Sequence, residues 1–315
     1  VKKPIIMDCD PGIDDALAIL LALASDKLDV KLITTCAGNQ TPEKTLTNAL
    51  KILSFLGRTD IEVAQGAPKP LYRDLIIADY AHGETGLGVA DLGEATMEKS
   101  KRSAMEAMKS VIEESQENVA IVATGPLTNV AIFLTAYPEL KSKIERISLM
   151  GGACFGGNIT PAAEFNIYVD PEAAELVFQS GVPIVMCGLD VTHKAQMFQE
   201  DIERIRSIGN KTGEVFASML DFYAQVVTTP FLAEAGHVEG LHMHDPCAVA
   251  YVIDPTMFRA IPLHVAVETT GKLTAGSTVV DYNGVTGKPK NADVVFEIDR
   301  ERFVNMLYAA FTQYV

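Results

Sequence analysis

The chain opens with an apolar run, Pro4-Ile5-Ile6-Met7, that passes without a break into Asp8-Cys9-Asp10-Pro11-Gly12-Ile13-Asp14-Asp15, four carboxylates within eight residues. The run reads as a buried strand. Pro11 and Gly12 punctuate the turn, and residues 13–24 read as a helix with Asp14 and Asp15 in its first turn, where the helix dipole favours acids. Acids packed this densely at the mouth of a core repel one another and raise one another's pKa values unless a cation or strong hydrogen-bond donors neutralise them. A hard divalent metal such as calcium or magnesium is the simplest neutraliser, because such ions take oxygen ligands and no nearby Cys/His pair has the spacing of a zinc site. Helix capping plus solvated charge is the plainer alternative. An EF-hand does not fit: counted from Asp8, the fifth, sixth and twelfth places hold Gly12, Ile13 and Ile19 instead of an oxygen ligand, glycine and glutamate.

Beyond this unit, strands and helices alternate. Residues 30–37 form a strand ending at Gly38-Asn39, followed by a helix over 42–56 and a short strand over 61–64. Residues 67–93 have no clean period and read as a long surface loop carrying His82-Gly83-Glu84. A helix over 103–115 and a strand over 119–123 lead through Thr124-Gly125-Pro126-Leu127-Thr128-Asn129 into another helix. A strand over 144–150 then ends in Gly151-Gly152, before a polar loop over 153–169, a helix over 171–180 and a strand over 183–187. Helices follow over 200–208 and 213–227, residues 228–243 do not read as helical, and a helix begins at His244-Asp245-Pro246. Short strands over 263–268, 277–281 and 294–298 precede a closing helix over 300–314. The expected fold is α/β, an open, mostly parallel sheet flanked by helices, in a single domain over 1–315. Ligands of such sheets bind where strands end, so Asp10, Asn39, Thr124 and the 150s loop are expected to converge.

Lys plus Arg total 26 against 41 Asp plus Glu, a net charge of -15 that disfavours nucleic acid and anionic membranes and suits a neutral or cationic small substrate. Five scattered cysteines argue against a disulfide framework and for a reducing compartment. No signal-peptide pattern and no apolar run of about 18–20 residues is present, so the expectation is a soluble, cytoplasmic protein.

Asp10 and Asp15 are the best metal candidates, one leaving the strand and the other in the first helical turn. Asp245 at a helix start is a plausible third carboxylate, and the Thr124 carbonyl a further ligand. His244, beside Asp245, could place an imidazole over the site as a proton donor. His82 is a second candidate in the long loop, whereas His193 and His264 look structural. Glu164-Phe165-Asn166, preceded by Gly157-Asn158, offers groups suited to sugar hydroxyls.

Taken together, these segments resemble the inosine/uridine-preferring nucleoside hydrolases. The resemblance rests on Asp8 through Ala16, Ala37-Gly38-Asn39, Thr124 through Asn129, Met150-Gly151-Gly152, Asn158 through Asn166 and Met243-His244-Asp245-Pro246. Segments Gly188 through Thr192, Glu268 through Gly271 and Thr278 through Asp281 are more similar to the bacterial branch acting on both purine and pyrimidine ribonucleosides. The resemblance implies a calcium ion held by Asp10, Asp15, Asp245 and the Thr124 carbonyl, with Asp10 taking a proton from the attacking water. It implies that Asp14, Asn39, Asn158, Glu164 and Asn166 grip ribose hydroxyls and that Phe165 packs on the nucleoside. His82 and His244 would lie near the base, with His244 protonating or hydrogen-bonding it, and Asp8 would orient its neighbours. Inosine, uridine, cytidine, adenosine and xanthosine are the implied substrates, in nucleoside salvage, and a dimer or tetramer the implied assembly. The chain departs from the family in having no tyrosine over 228–241, where Phe231 and His237 are the possible substitutes. An aspartyl phosphatase and a non-catalytic nucleoside-binding protein are the rival readings.

Overall fold

Ile5, Ile6, Met7 and Cys9 expose no surface in the computed structural model, which describes residues 2–227 and 240–314. Side chains alternate across a strand, so Ile5, Met7 and Cys9 of β1 (Lys3–Cys9) enter one core layer and Ile6 enters the other. Each large apolar side chain buried this way stabilises the fold by about 1.5–3 kcal/mol. The remaining strands are β2 (Leu28–Thr35), β3 (Glu62–Gln65), β4 (Val119–Ala123), β5 (Ile144–Met150), β6 (Ile184–Cys187), β7 (Gln196–Met197), β8 (Leu241–His242), β9 (Phe258–Leu263), β10 (Val265–Val267), β11 (Thr278–Val280) and β12 (Ala292–Ile298). Eight of them form one sheet in the order β3-β2-β1-β4-β5-β6-β12-β9, parallel except that β9 runs antiparallel to β12.

The first ten helices are α1 (Ile13–Ala24), α2 (Pro42–Phe55), α3 (Asp79–His82), α4 (Ala104–Glu114), α5 (Thr128–Ala136), α6 (Phe165–Val169), α7 (Pro171–Phe178), α8 (Leu189–Thr192), α9 (Gln199–Arg206) and α10 (Lys211–Val227). Two more span Asp245–Ile253 and Arg300–Phe311. On one side of the sheet α1 packs against the helices Asp245–Ile253 and Arg300–Phe311, and on the other α5 packs against α4 and α7. This is the open α/β architecture that the alternation predicts. The chain leaves β1 for β2 on one flank and returns to β4 on the other, so the turn after β1 occupies the point where strand order reverses.

Several local expectations need correction. The loop expected over 153–169 ends in α6, a five-residue helix capped by Glu164. The stretch 67–93 contains α3. β9 begins at Phe258, ahead of the strand expected from 263. The stretch expected to be non-helical over 228–243 is so where it is described, Leu241–His242 pairing with Gln196–Met197, while 228–239 lie outside the described residues.

Candidate active site

The loops after β1, β2, β4 and β5 meet at the carboxyl edge of the sheet around a cavity of about 650 Å³. Asp14, Asn39, His82 and Thr124 line it, as do Asn158, Glu164, Phe165, Asn166, His244 and Asp245. Asp10 and Asp15 are fully buried and absent from the lining. The expected site residues that the structure describes therefore line one cavity or, like Asp10 and Asp15, are buried and bonded to Asn39, which lines it.

Carboxylate oxygens of Asp14, Asp15 and Asp245 lie within 4.8 Å of one another. Asp15 is held from three sides. Its Oδ2 accepts hydrogen bonds from Gly12 N (3.0 Å) and Asn39 Nδ2 (3.0 Å), and its Oδ1 from Thr124 Oγ1 (2.7 Å). Asp10 stands outside this three-residue group. Its Oδ2 accepts from Asn39 N at 2.7 Å, and its Oδ1 is buried without a hydrogen-bond partner among the described residues. Gly38 and Gly125 crowd Asp10: a Cβ on either would come within 2.2 Å of Oδ2 or 2.5 Å of Oδ1. Asp8 points toward α5, its Oδ1 accepting from Thr34 Oγ1 (2.5 Å) and Asn129 Nδ2 (2.8 Å).

Among the described residues no Lys or Arg forms an ion pair with these acids. Burial, followed by the neighbouring Asp15 charge, pushes the Asp10 carboxyl well above the usual carboxylate range and Asp14 up to about 7. Burial and then the charges of Asp14, Asp15 and Asp10 do the same to Asp245, and burial lifts Asp8 to about 6. An orphaned buried oxygen and several carboxylates without a countercharge fit a divalent cation. The donors are all oxygens, which select a hard ion such as calcium or magnesium over zinc or copper.

The cavity wall opposite is polar backbone held by side chains. Glu164 caps α6, accepting from Asn166 N (3.0 Å), Gly152 N (2.9 Å) and Ile167 N (3.2 Å), and burial raises it to about 7. Asn166 Nδ2 donates to the Thr124 carbonyl at 2.8 Å, tying α6 to the end of β4. Asn158 Oδ1 accepts from Phe165 N at 2.9 Å, and Phe165 packs with Ala78 and Val169.

Imidazoles line the same cavity. His82 Nδ1 accepts from Ile13 N at 3.2 Å, which places the ring's proton on Nε2, and burial lowers its pKa to about 4. The ring stacks on Tyr223, with centroids 5.4 Å apart. His244 Nδ1 lies 2.8 Å from Thr192 Oγ1, and burial, then the neighbouring imidazoles, hold its pKa well below the ordinary histidine value. The rings of His193 and His242 lie 6.0 and 5.9 Å from that of His244. His193, expected to be structural, therefore lines the cavity, and Tyr80, Tyr223 and His242 join it unforeseen. The substitutes Phe231 and His237 lie outside the described residues. No local pattern marks Tyr223 or His193; only the meeting of α10, α8 and β8 brings them to the site.

The carboxyl edge of a parallel sheet, with buried acids and imidazoles around one cavity, defines a site for a small polar molecule. Residues 5–305 match the inosine-uridine preferring nucleoside hydrolase family, and the chain belongs to it. The pyrimidine-specific ribonucleoside hydrolase RihA of Escherichia coli O7:K1 is 56% identical over 304 residues, covering 96% of each chain. A purine-preferring ribonucleoside hydrolase from Gardnerella vaginalis superposes with a TM-score of 0.91 at 32% identity over 99% of each chain. A plant nucleoside hydrolase does so with a TM-score of 0.90 at 34% identity, again over 99% of each. The chain is a ribonucleoside hydrolase.

Proposed function

We propose that this hydrolase uses calcium and cleaves the N-glycosidic bond of pyrimidine ribonucleosides, uridine and cytidine foremost, while also admitting the purine ribonucleosides inosine, adenosine and xanthosine, in nucleoside salvage. The buried group of Asp14, Asp15 and Asp245 at the base of the cavity carries the reading. The 56% identity to a pyrimidine-specific relative supports the first substrate class. A cavity of about 650 Å³ and the likeness to a purine-preferring enzyme support the second.

Asp10, Asp15, Asp245 and the Thr124 carbonyl are the residues that would hold the cation, which supplies a Lewis acid able to make water a competent nucleophile near neutral pH. Asp10 takes the water's proton through Oδ1, the oxygen that has no partner, while Asn39 N anchors Oδ2. Cleavage builds oxocarbenium-like positive charge on the ribose, and the buried carboxylates stabilise it because little water screens them. Asp14, Asn39, Asn158, Glu164 and Asn166 orient the ribose hydroxyls, and Phe165 packs against the nucleoside. His82 and His244 donate hydrogen bonds to the departing base. The same reading takes 1–315 as one catalytic domain, in a cytoplasmic dimer or tetramer; one sheet built from strands between Lys3 and Ile298 supports the first part, and no helix of the described residues is long and apolar enough to cross a membrane.

Uridine, inosine and a phosphate monoester incubated with the protein and calcium should yield reducing sugar from the nucleosides and no phosphate. Chelation should stop the reaction and added calcium restore it. No reducing sugar from any ribonucleoside overturns the substrate reading, and full activity in chelator overturns the metal reading.

A further inference from the structure

Thr192, the last residue of α8, exposes no surface, and its hydroxyl lies 2.8 Å from His244 Nδ1. Among the described residues this imidazole nitrogen is the only hydrogen-bond partner of the hydroxyl. A buried hydroxyl proton goes to an available acceptor, because leaving it unpaired costs about 1–3 kcal/mol. Thr192 therefore donates to Nδ1, and the proton of the neutral ring sits on Nε2, the remaining polar atom of a side chain that lines the cavity. His82 reaches the same state by another route, with Ile13 N donating to its Nδ1.

We propose that Thr192 is a positioning residue for the reaction: its hydroxyl fixes the tautomer and orientation of His244 so that Nε2–H meets the leaving base. The inference rests on the reading of His244 as the group that assists base departure. Thr192 itself touches neither sugar nor base. A threonine suits the task because β-branching limits its rotamers and α8 holds it rigidly behind the ring. Among the described residues the rings of His193 and His242 also lie beside His244 and meet it edge-on.

Two measurements decide the matter. In protein labelled with ¹⁵N at histidine, with His244→Asn supplying the assignment, the His244 signals should show Nε2 protonated and Nδ1 bare near neutral pH. In Thr192→Val the two tautomers should mix. A wild-type His244 with its proton on Nδ1 overturns the proposal, whether or not the protein proves to cleave nucleosides. For turnover, Thr192→Val should lower kcat on uridine about tenfold, the effect of roughly one hydrogen bond, with KM held within about twofold. Hydrolysis of 4-nitrophenyl riboside, whose leaving group needs no help, should stay within about twofold, and Thr192→Ser should recover most of the uridine rate. Equal losses on both substrates, or none on uridine, overturn the proposal. Wild-type protein that releases ribose from neither substrate instead refutes the reading beneath it, and the tautomer measurement then decides the inference alone.

Discussion

Asp10 combines two features that rarely coexist: an anchored oxygen, Oδ2, and a buried orphan, Oδ1. Asp10→Asn keeps the volume between Gly38 and Gly125 but replaces the base with an amide. Its kcat on uridine should fall by about 10³-fold or more. A rate near wild type would move the base elsewhere in the acidic group. His82 gives a different kind of test, through pH. Its folded pKa, about 4, lies below its ordinary 6.5, so between these values the unfolded chain binds a proton that the folded chain refuses. The contribution is therefore fully present above pH 6.5 and is lost as pH falls toward 4, by about 3 kcal/mol in all. Urea unfolding of wild type and His82→Asn at pH 7.5, 6 and 5 should show that stability falls more steeply in the wild type. Parallel curves would mean that His82 carries no such penalty.

Two helix starts show how an element's job decides what a small change costs. α4 has an ordinary exposed capping box, with the Ser103 hydroxyl accepting from Glu106 N and Glu106 Oε2 accepting from Ser103 N. Ser103→Ala should cost about 1 kcal/mol, read as a lower thermal midpoint, and leave kcat/KM for uridine unchanged. α1 begins at Gly12, whose N–H donates to Asp15 and whose Cα faces His82 and Asn39. A Cβ there would come within 2.7 Å of His82 Nδ1 and 2.8 Å of Asn39 Nδ2, although φ at -103° suits any residue. Gly12→Ala should therefore cost about 1–3 kcal/mol by overpacking and should lower kcat as well, since both displaced side chains line the cavity. An alanine variant with wild-type turnover would show that the site tolerates the shift. The β1–α1 unit was legible in the sequence because its apolar run, its turn residues and its acids agree within twenty-odd residues. α6 was hidden because it is a single turn whose cap, Glu164, also reads as a sugar ligand. β9 escaped because it is an edge strand, where Arg259 and Pro262 interrupt the pattern that a central strand would keep. Tyr223 and His193 were illegible for a deeper reason: each belongs to the site only through contacts between distant elements, which no local period encodes.

At the scale of the whole molecule, the net charge of -15 is not spread evenly over a solvated surface, since Asp8, Asp10, Asp14, Asp15 and Asp245 are buried at one sheet edge. With no Lys or Arg paired to them among the described residues, the fold without a cation must either bear their repulsion or keep some of them protonated. The raised carboxyls set the sign. Burial raises Asp14 to about 7 in the fold against 3.8 ordinarily, and it raises Asp10 and Asp245 well above the ordinary value too. Above pH 4 the folded chain thus holds protons that the unfolded chain has released, and stability falls as pH rises through the folded values. Metal-stripped protein should accordingly melt at lower temperature at pH 8 than at pH 6.5, a window above the range in which the His82 contribution changes with pH. A divalent cation binding only the native state adds RT ln(1 + [L]/Kd), about 2.7 kcal/mol at 100 times Kd, and binds more strongly once the carboxylates are ionised. Adding calcium should raise the midpoint more at pH 8 than at pH 6.5 and flatten the slope. Differential scanning calorimetry in chelator and in millimolar calcium measures all four corners. A metal-stripped midpoint that rises with pH over this window would mean that the acids are neutralised from within the protein, and the buried group would lose its claim to a cation.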